Sequence, residues 1–149
     1  MPMTTARFER DGGRFRVAID GHAGYGDYGS DIVCAACSTL GYTLMQQAAA
    51  MHEAGALREM RQEHAAGHIL LDFETCKGAE KAVEAAVQTI LGGFALLAEK
   101  YPDYVRLETE KAEKSGEKNS LLFFIFTSTR WKDSAWHAGK TAHDTSERR

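Results

Sequence analysis

The sequence predicts an α+β fold, a single ββαββαβ domain in which two amphipathic helices pack on a mixed or antiparallel sheet. Three observations carry this: two segments with apolar residues at helical spacing, short alternating segments around them, and turn residues at the joints. Residues 3–9 form a first strand. Phe15, Val17 and Ile19 alternate with Arg14, Arg16 and Asp20 on a second, and Asp11-Gly12-Gly13 between them supplies hairpin turn chemistry. From residue 32 to about 52, Val33, Ala36, Cys37, Leu40, Leu44, Ala48 and Met51 form a helical stripe, with Asp31 or Ser30 as the N-cap. Two strands follow Gly55. The first, Leu57 to Gln62, has a weak pattern. The second is clear, because Ile69, Leu71 and Phe73 alternate with His68, Leu70 and Asp72; Gly67 lies between the two. A second helix runs from Ala79 to Tyr101, with Val83, Val87, Ile90, Phe94, Leu97 and Tyr101 on one face, and Pro102 ends it. Tyr104 to Thr109 gives the last strand.

These elements occupy residues 1–109, and the composition changes after them. Glu110 to Ser120 is a charged linker, Leu121 to Phe126 is an unbroken apolar run, and a polar segment with Trp131 and Trp136 follows. Residues 110–149 are therefore read as a linker and an atypical C-terminal tail. Its apolar run suits either an added edge strand or an interaction segment, and left exposed it is an aggregation hazard.

The 149 residues suffice for one domain with a proper core, and 44% apolar with 26% charged residues is ordinary for a globular protein. A net charge of -3 argues against nucleic acid as a partner. The charge is uneven: residues 110–149 carry eight Lys/Arg against six Asp/Glu, and residues 1–109 carry ten against fifteen. No stretch reads as a secretory signal or a bilayer span, so a membrane partner is not expected. Three cysteines are too few for a disulfide framework, which predicts a reducing cytoplasmic setting where a free thiol is permissible.

Chemistry concentrates at residues 21–38. Cys34 falls in the first turn of the predicted helix, where unpaired N–H groups favour a thiolate. Twelve positions earlier, His22 lies in a loop with Gly21, Gly24, Gly26 and Gly29, a composition that suits a mobile lid. A thiolate with an imidazole to take and return a proton is the minimum equipment for acyl transfer. Cys37 falls on the core stripe, whereas Cys34 groups with Ser38, Gly41 and Met45 on its flank. Asp31 has a sufficient role as a cap, with orientation of His22 a second role shared with Asp27. Ser38 is a candidate hydrogen-bond donor to backbone or sulfur, and the N–H groups around Cys34 are candidate oxyanion donors.

Other readings compete. Cys34-Ala35-Ala36-Cys37 is formally the C-x-x-C of a thiol-disulfide oxidoreductase, but it lacks the preceding aromatic, the internal proline and a βαβ lead-in. A structural zinc site pairs its ligands in tight knuckles, and beside Cys34 and Cys37 the other two candidates, Cys76 and His22, stand alone, so no metal ion is expected. The glycine loop lacks the Gly-Lys-Ser/Thr ending of a phosphate loop.

The run from Gly21 to Ala36, with Asp31-Ile32-Val33-Cys34 at the helix entry and Ser38 close behind, resembles the signature of the ribosomal-processing cysteine proteases, the Prp or YsxB-like family. The resemblance is close across this motif and extends more loosely, through the element order, over residues 1–109. It implies a homodimeric cysteine endopeptidase, without cofactor or metal. Its protein substrate would be a ribosomal protein precursor, large-subunit protein number twenty-seven, from which a short N-terminal extension is removed during ribosome maturation. By position, Cys34 is the nucleophile, His22 the general base and acid, and residues 21–30 the mobile loop, with Asp31 and Ser38 in support. Two departures stand out: Cys37 replaces a small apolar residue, and the tail has no counterpart. A ribosome-associated binding module without activity is the remaining alternative.

Overall fold

The computed structural model of the chain describes residues 2–111; of the linker and tail expected over residues 110–149, Glu110 and Lys111 continue the last strand and the rest lies outside the described residues. The glycine turn joins β1 (Thr4–Asp11) and β2 (Arg14–Asp20) in an antiparallel hairpin, with Phe8 opposite Val17 and Ala6 opposite Ile19. Gly12 takes φ +57°, the left-handed turn conformation that a two-residue hairpin loop demands. Then come α1 (Ile32–Glu53), β3 (Leu57–Ala65), β4 (His68–Thr75), α2 (Glu80–Lys100) and β5 (Val105–Lys111). The order is the ββαββαβ expected.

The sheet is mixed. Its strand order is β3-β4-β2-β1-β5, with β1 and β5 parallel and the other neighbours antiparallel. Consequently β2 and β3 run parallel, as do β4 and β5, and each pair is linked through a helix. The two crossovers leave strands of opposite sense in opposite lateral directions. Right-handed connections therefore put both helices over the same face.

That face holds the core. Phe15 packs on its register partner Phe73 at 5.7 Å between ring centroids, and Phe8 meets Phe94 of α2 edge-on at 5.9 Å. The opposite face carries ion pairs, among them Arg7 with Asp20 and Glu108, Arg14 with Asp72, and Arg58 with Glu74. α2 is long and apolar enough, by length and composition alone, to cross a membrane, contrary to the expectation from the sequence. Its Val83, Val87, Leu91 and Phe94 are instead buried in this core.

β3 is longer than its pattern suggested, and the reason is its position. It is an edge strand whose residues beyond Leu57 are mostly exposed, so no alternation is required of it. A register shift between Arg58 and Arg61, with Glu59 at φ +52°, interrupts its pairing.

The buried face of α1 is rotated from the predicted stripe. Val33, Cys37, Gly41, Leu44, Met45 and Ala48 are buried, whereas Ala36, Leu40 and Met51 are only partly so. Gly41 and Met45 thus belong to the core rather than to its flank. Gly41 allows the helix to sit close to the sheet: a Cβ there would lie 2.6 Å from Ile69 Cδ1 and 2.8 Å from Ile19 Cδ1. Cys34, two turns earlier on the same line, points toward the same sheet end. There β2 has just finished and β4 has not begun, so the thiol meets a cleft.

Candidate active site

The loop out of β2 is held by backbone geometry. Gly21 has φ +91°, donates its N–H to Gly67 O at 2.8 Å, and leaves no room for a Cβ, which would meet Met3 O at 2.3 Å. His22 is exposed, but the next residue, Ala23, is fully buried. Gly24 (φ +69°) lies against Pro2, and the Tyr25 ring sits edge-on to both Tyr101 and Tyr104 at 5.3 and 5.2 Å. The remaining arc, residues 26–30, is exposed, with Tyr28 at its outermost point. Asp27 O closes the arc by accepting the N–H and hydroxyl of Ser30.

Asp31 ties this loop to α1. One carboxylate oxygen accepts the N–H groups of Val33 and Cys34, each at 2.9 Å, and the other accepts that of Tyr25 at 2.8 Å. Burial alone pushes its pKa up. The N–H groups of Cys34, Gly26, Tyr25 and Val33 outweigh that and hold it below the ordinary value. Two consequences correct the sequence reading. The Val33 and Cys34 N–H groups are already used, so they are not free oxyanion donors. Neither Asp31 nor Asp27 makes a hydrogen bond to His22 among the described residues.

The structure does bring the histidine and the cysteine together. His22 Nδ1 stands 3.7 Å from Cys34 Sγ, a long contact within the reach of a sulfur hydrogen bond, and Cys34 is half-buried. Tyr28 approaches the imidazole edge-on at 6.3 Å. These groups line a cleft of about 600 Å³ between α1 and the β3–β4 turn. Ser38 and Tyr42 extend its α1 wall, and Ala65, Ala66 and Gly67 form the opposite one. Ser38 is exposed, and its hydroxyl makes no hydrogen bond among the described residues. Tyr42 packs edge-on to His64 of β3 at 5.9 Å.

The other two cysteines separate by burial and place. Cys37 is 3% exposed, and burial, then the nearby Cys34 and Asp31, raise its pKa to about 11. It is a neutral core thiol. Cys76 follows the end of β4 remote from His68, so it does not join Cys34, Cys37 and His22.

Sequence reasoning missed Gly67 and the Tyr42–His64 wall. It also missed His68, whose Nδ1 lies 2.6 Å from Asp20 Oδ1 beside the cleft. Gly67 carried the signal of a hairpin turn, but nothing local indicated what would lie against it.

The family model described as cysteine protease Prp matches residues 3–106. The chain belongs to the Prp family of cysteine proteases. Among solved structures, the ribosomal processing protease Prp from S. aureus is similar in complex with a covalently linked product peptide. That comparison gives 26% identity and a TM-score of 0.57, covering 72% of this chain and 99% of the other. The same S. aureus Prp with a substrate peptide gives 25% identity and a TM-score of 0.53, with the same coverage. SMU.848 from Streptococcus mutans, at 29% identity and a TM-score of 0.54, covers 74% of this chain and 96% of its own. A search of curated proteins finds no match. The Prp match takes in the whole segment from β1 to the start of β5, including the loop, the cap and Cys34.

Proposed function

We propose that this Prp family member is a cysteine endopeptidase in which Cys34 is the nucleophile and His22 the general base and acid. The observation that carries the reading is the 3.7 Å approach of His22 Nδ1 to Cys34 Sγ, within a cleft of a size suited to a peptide. The Cys34 thiol gives its proton to Nδ1 as the sulfur attacks the scissile carbonyl carbon. The tetrahedral intermediate collapses, the C–N bond breaks, and the departing amine takes the proton from His22. Water, deprotonated by the same nitrogen, then attacks the thioester, releasing the acid and restoring the thiol. Since Asp31 occupies the N–H groups of Val33 and Cys34, Ser38 is a cleft side chain available to serve the sulfur or the substrate carbonyl.

The Tyr28-bearing arc, residues 26–30, closes over bound substrate, and the 3.7 Å contact shortens as it does. The substrate is a ribosomal protein precursor, the N-terminal extension of large-subunit protein twenty-seven, cut by a cytoplasmic homodimer whose protease domain spans residues 1–109. The buried, high-pKa Cys37 is a bystander. The test is mass analysis of a peptide spanning the extension junction. Cleavage by the parent and Cys37→Ala proteins, with none by Cys34→Ala and a severe loss in His22→Ala, is expected. Cleavage that survives Cys34→Ala refutes the assignment. Dithiol-dependent disulfide reduction needing both Cys34 and Cys37 favours the oxidoreductase reading, and tight binding without cutting favours a binding module.

A further inference from the structure

Building on the Cys34–His22 assignment, we infer that Gly67 is a positioning residue: the β3–β4 turn presents a bare Cα on which the His22 imidazole rests. A Cβ at position 67 would lie 2.7 Å from Nε2 and 3.2 Å from both Cδ2 and Cε1. The Nε2 end of the ring therefore abuts the turn. Nδ1, across the ring, is the atom 3.7 Å from Cys34 Sγ. The imidazole spans the gap between hairpin and helix, and the turn blocks its retreat from the sulfur.

Gly67 also holds the backbone that carries the ring. Its carbonyl accepts the Gly21 N–H at 2.8 Å, extending by one step the β2–β4 pairing that ends at Asp20 opposite His68. Gly67 itself sits at φ +69°, and its neighbours Ala65 and Ala66 keep the rest of the turn small. One residue thus fixes both the attachment point of His22 and the far edge of its ring.

This supplies what the carboxylates do not. A catalytic histidine is commonly oriented by a third polar group bonded to its second nitrogen. Here no carboxylate reaches His22 among the described residues, and the second nitrogen faces a glycine Cα. Shape takes the place of a hydrogen bond. Any side chain at position 67 must move the imidazole, either into the sulfur or out toward Tyr28.

The experiment compares Gly67→Ala and Gly67→Asn with Gly12→Ala in the full chain. Gly12 has a similar positive φ of +57° with open space around it, so its variant reports backbone strain alone. Asn tolerates the left-handed region, so Gly67→Asn keeps the collision while easing that strain. Peptide cleavage and the pH dependence of Cys34 alkylation are measured alongside His22→Ala. Gly12→Ala should stay within about twofold of the parent. The Gly67 variants should lose kcat by about tenfold to a hundredfold with little change in KM, as expected for a displaced catalytic group. Their alkylation profiles should shift toward that of His22→Ala. A folded Gly67 variant with the parent kcat and alkylation profile overturns the inference while leaving the His22 assignment standing. If His22→Ala itself alkylates and cleaves like the parent, the underlying assignment falls, and the inference with it.

Discussion

Asp31 Oδ1 accepts the backbone N–H of Cys34 at 2.9 Å, so the residue that presents the thiol is anchored by the same carboxylate that holds Tyr25 in the preceding loop. One acidic side chain sets the start of α1 and the path of the loop that carries the histidine.

The pH dependence of stability follows from that bond network. The Asp31 pKa is depressed in the folded state, so its stabilisation is complete above the ordinary value near 3.8 and is lost as pH falls through the lower folded value. Asp31→Ala should cost about 0.5–2 kcal/mol at neutral pH, as the loss of an N-cap does. Asp31→Asn keeps an acceptor and should weaken the acid-side dependence. Urea melts at neutral and acidic pH measure both effects.

Cysteine labelling should follow burial. With its pKa at about 11 and 3% exposure, Cys37 should resist iodoacetamide in the native protein at neutral pH and react only after unfolding. Cys34, half-buried at the cleft, should label in the native state. Peptide mapping of native and denatured samples reads the difference directly.

Tyr25 and Tyr28 should separate stability from turnover. Tyr25 packs edge-on to Tyr101 and Tyr104, and aromatic pairs of this kind contribute about 0.5–1.5 kcal/mol each. Tyr25→Ala should lower the melting temperature by several degrees and slow cleavage. Tyr28 is 92% exposed, and its one ring contact among the described residues is with His22. Tyr28→Ala should melt like the parent yet change kcat/KM. Calorimetry paired with a peptide cleavage assay distinguishes the two.

Truncation after Lys111 should leave cleavage within about twofold of the full chain, because it keeps all seven described elements and the Prp match ends at residue 106. A large loss on truncation would assign residues 112–149 a part in the reaction.

Much of the fold was legible because its signals are local. Alternation at Phe15, Val17 and Ile19 and the stripe through Val83, Val87 and Phe94 report the side-chain periods of strand and helix. β3 extends beyond its predicted end because an edge strand with exposed side chains carries no such period. The burial of Gly41 has no signature in the stripe because glycine has no hydrophobicity to register, although its lack of a side chain is what brings α1 onto Ile19 and Ile69. In the site, the glycine loop and the helix entry at Cys34 were visible as residue types in order. The consumption of the Val33 and Cys34 N–H groups by Asp31 depended on cap geometry that spacing alone does not specify.

By itself, the sequence determined the element order, an N-cap at Asp31 or Ser30, the thiol in the first helical turn and a histidine in a glycine loop, since each depends on neighbours in the chain. Only the tertiary structure decided that His22 Nδ1 meets Cys34 Sγ, and that the Nε2 end of the ring rests on Gly67. Those contacts join β2, α1 and the β3–β4 turn, and their distances follow from strand order, register and the depth at which Gly41 seats the helix. These are properties of packing between remote segments, and no local pattern of side chains encodes them.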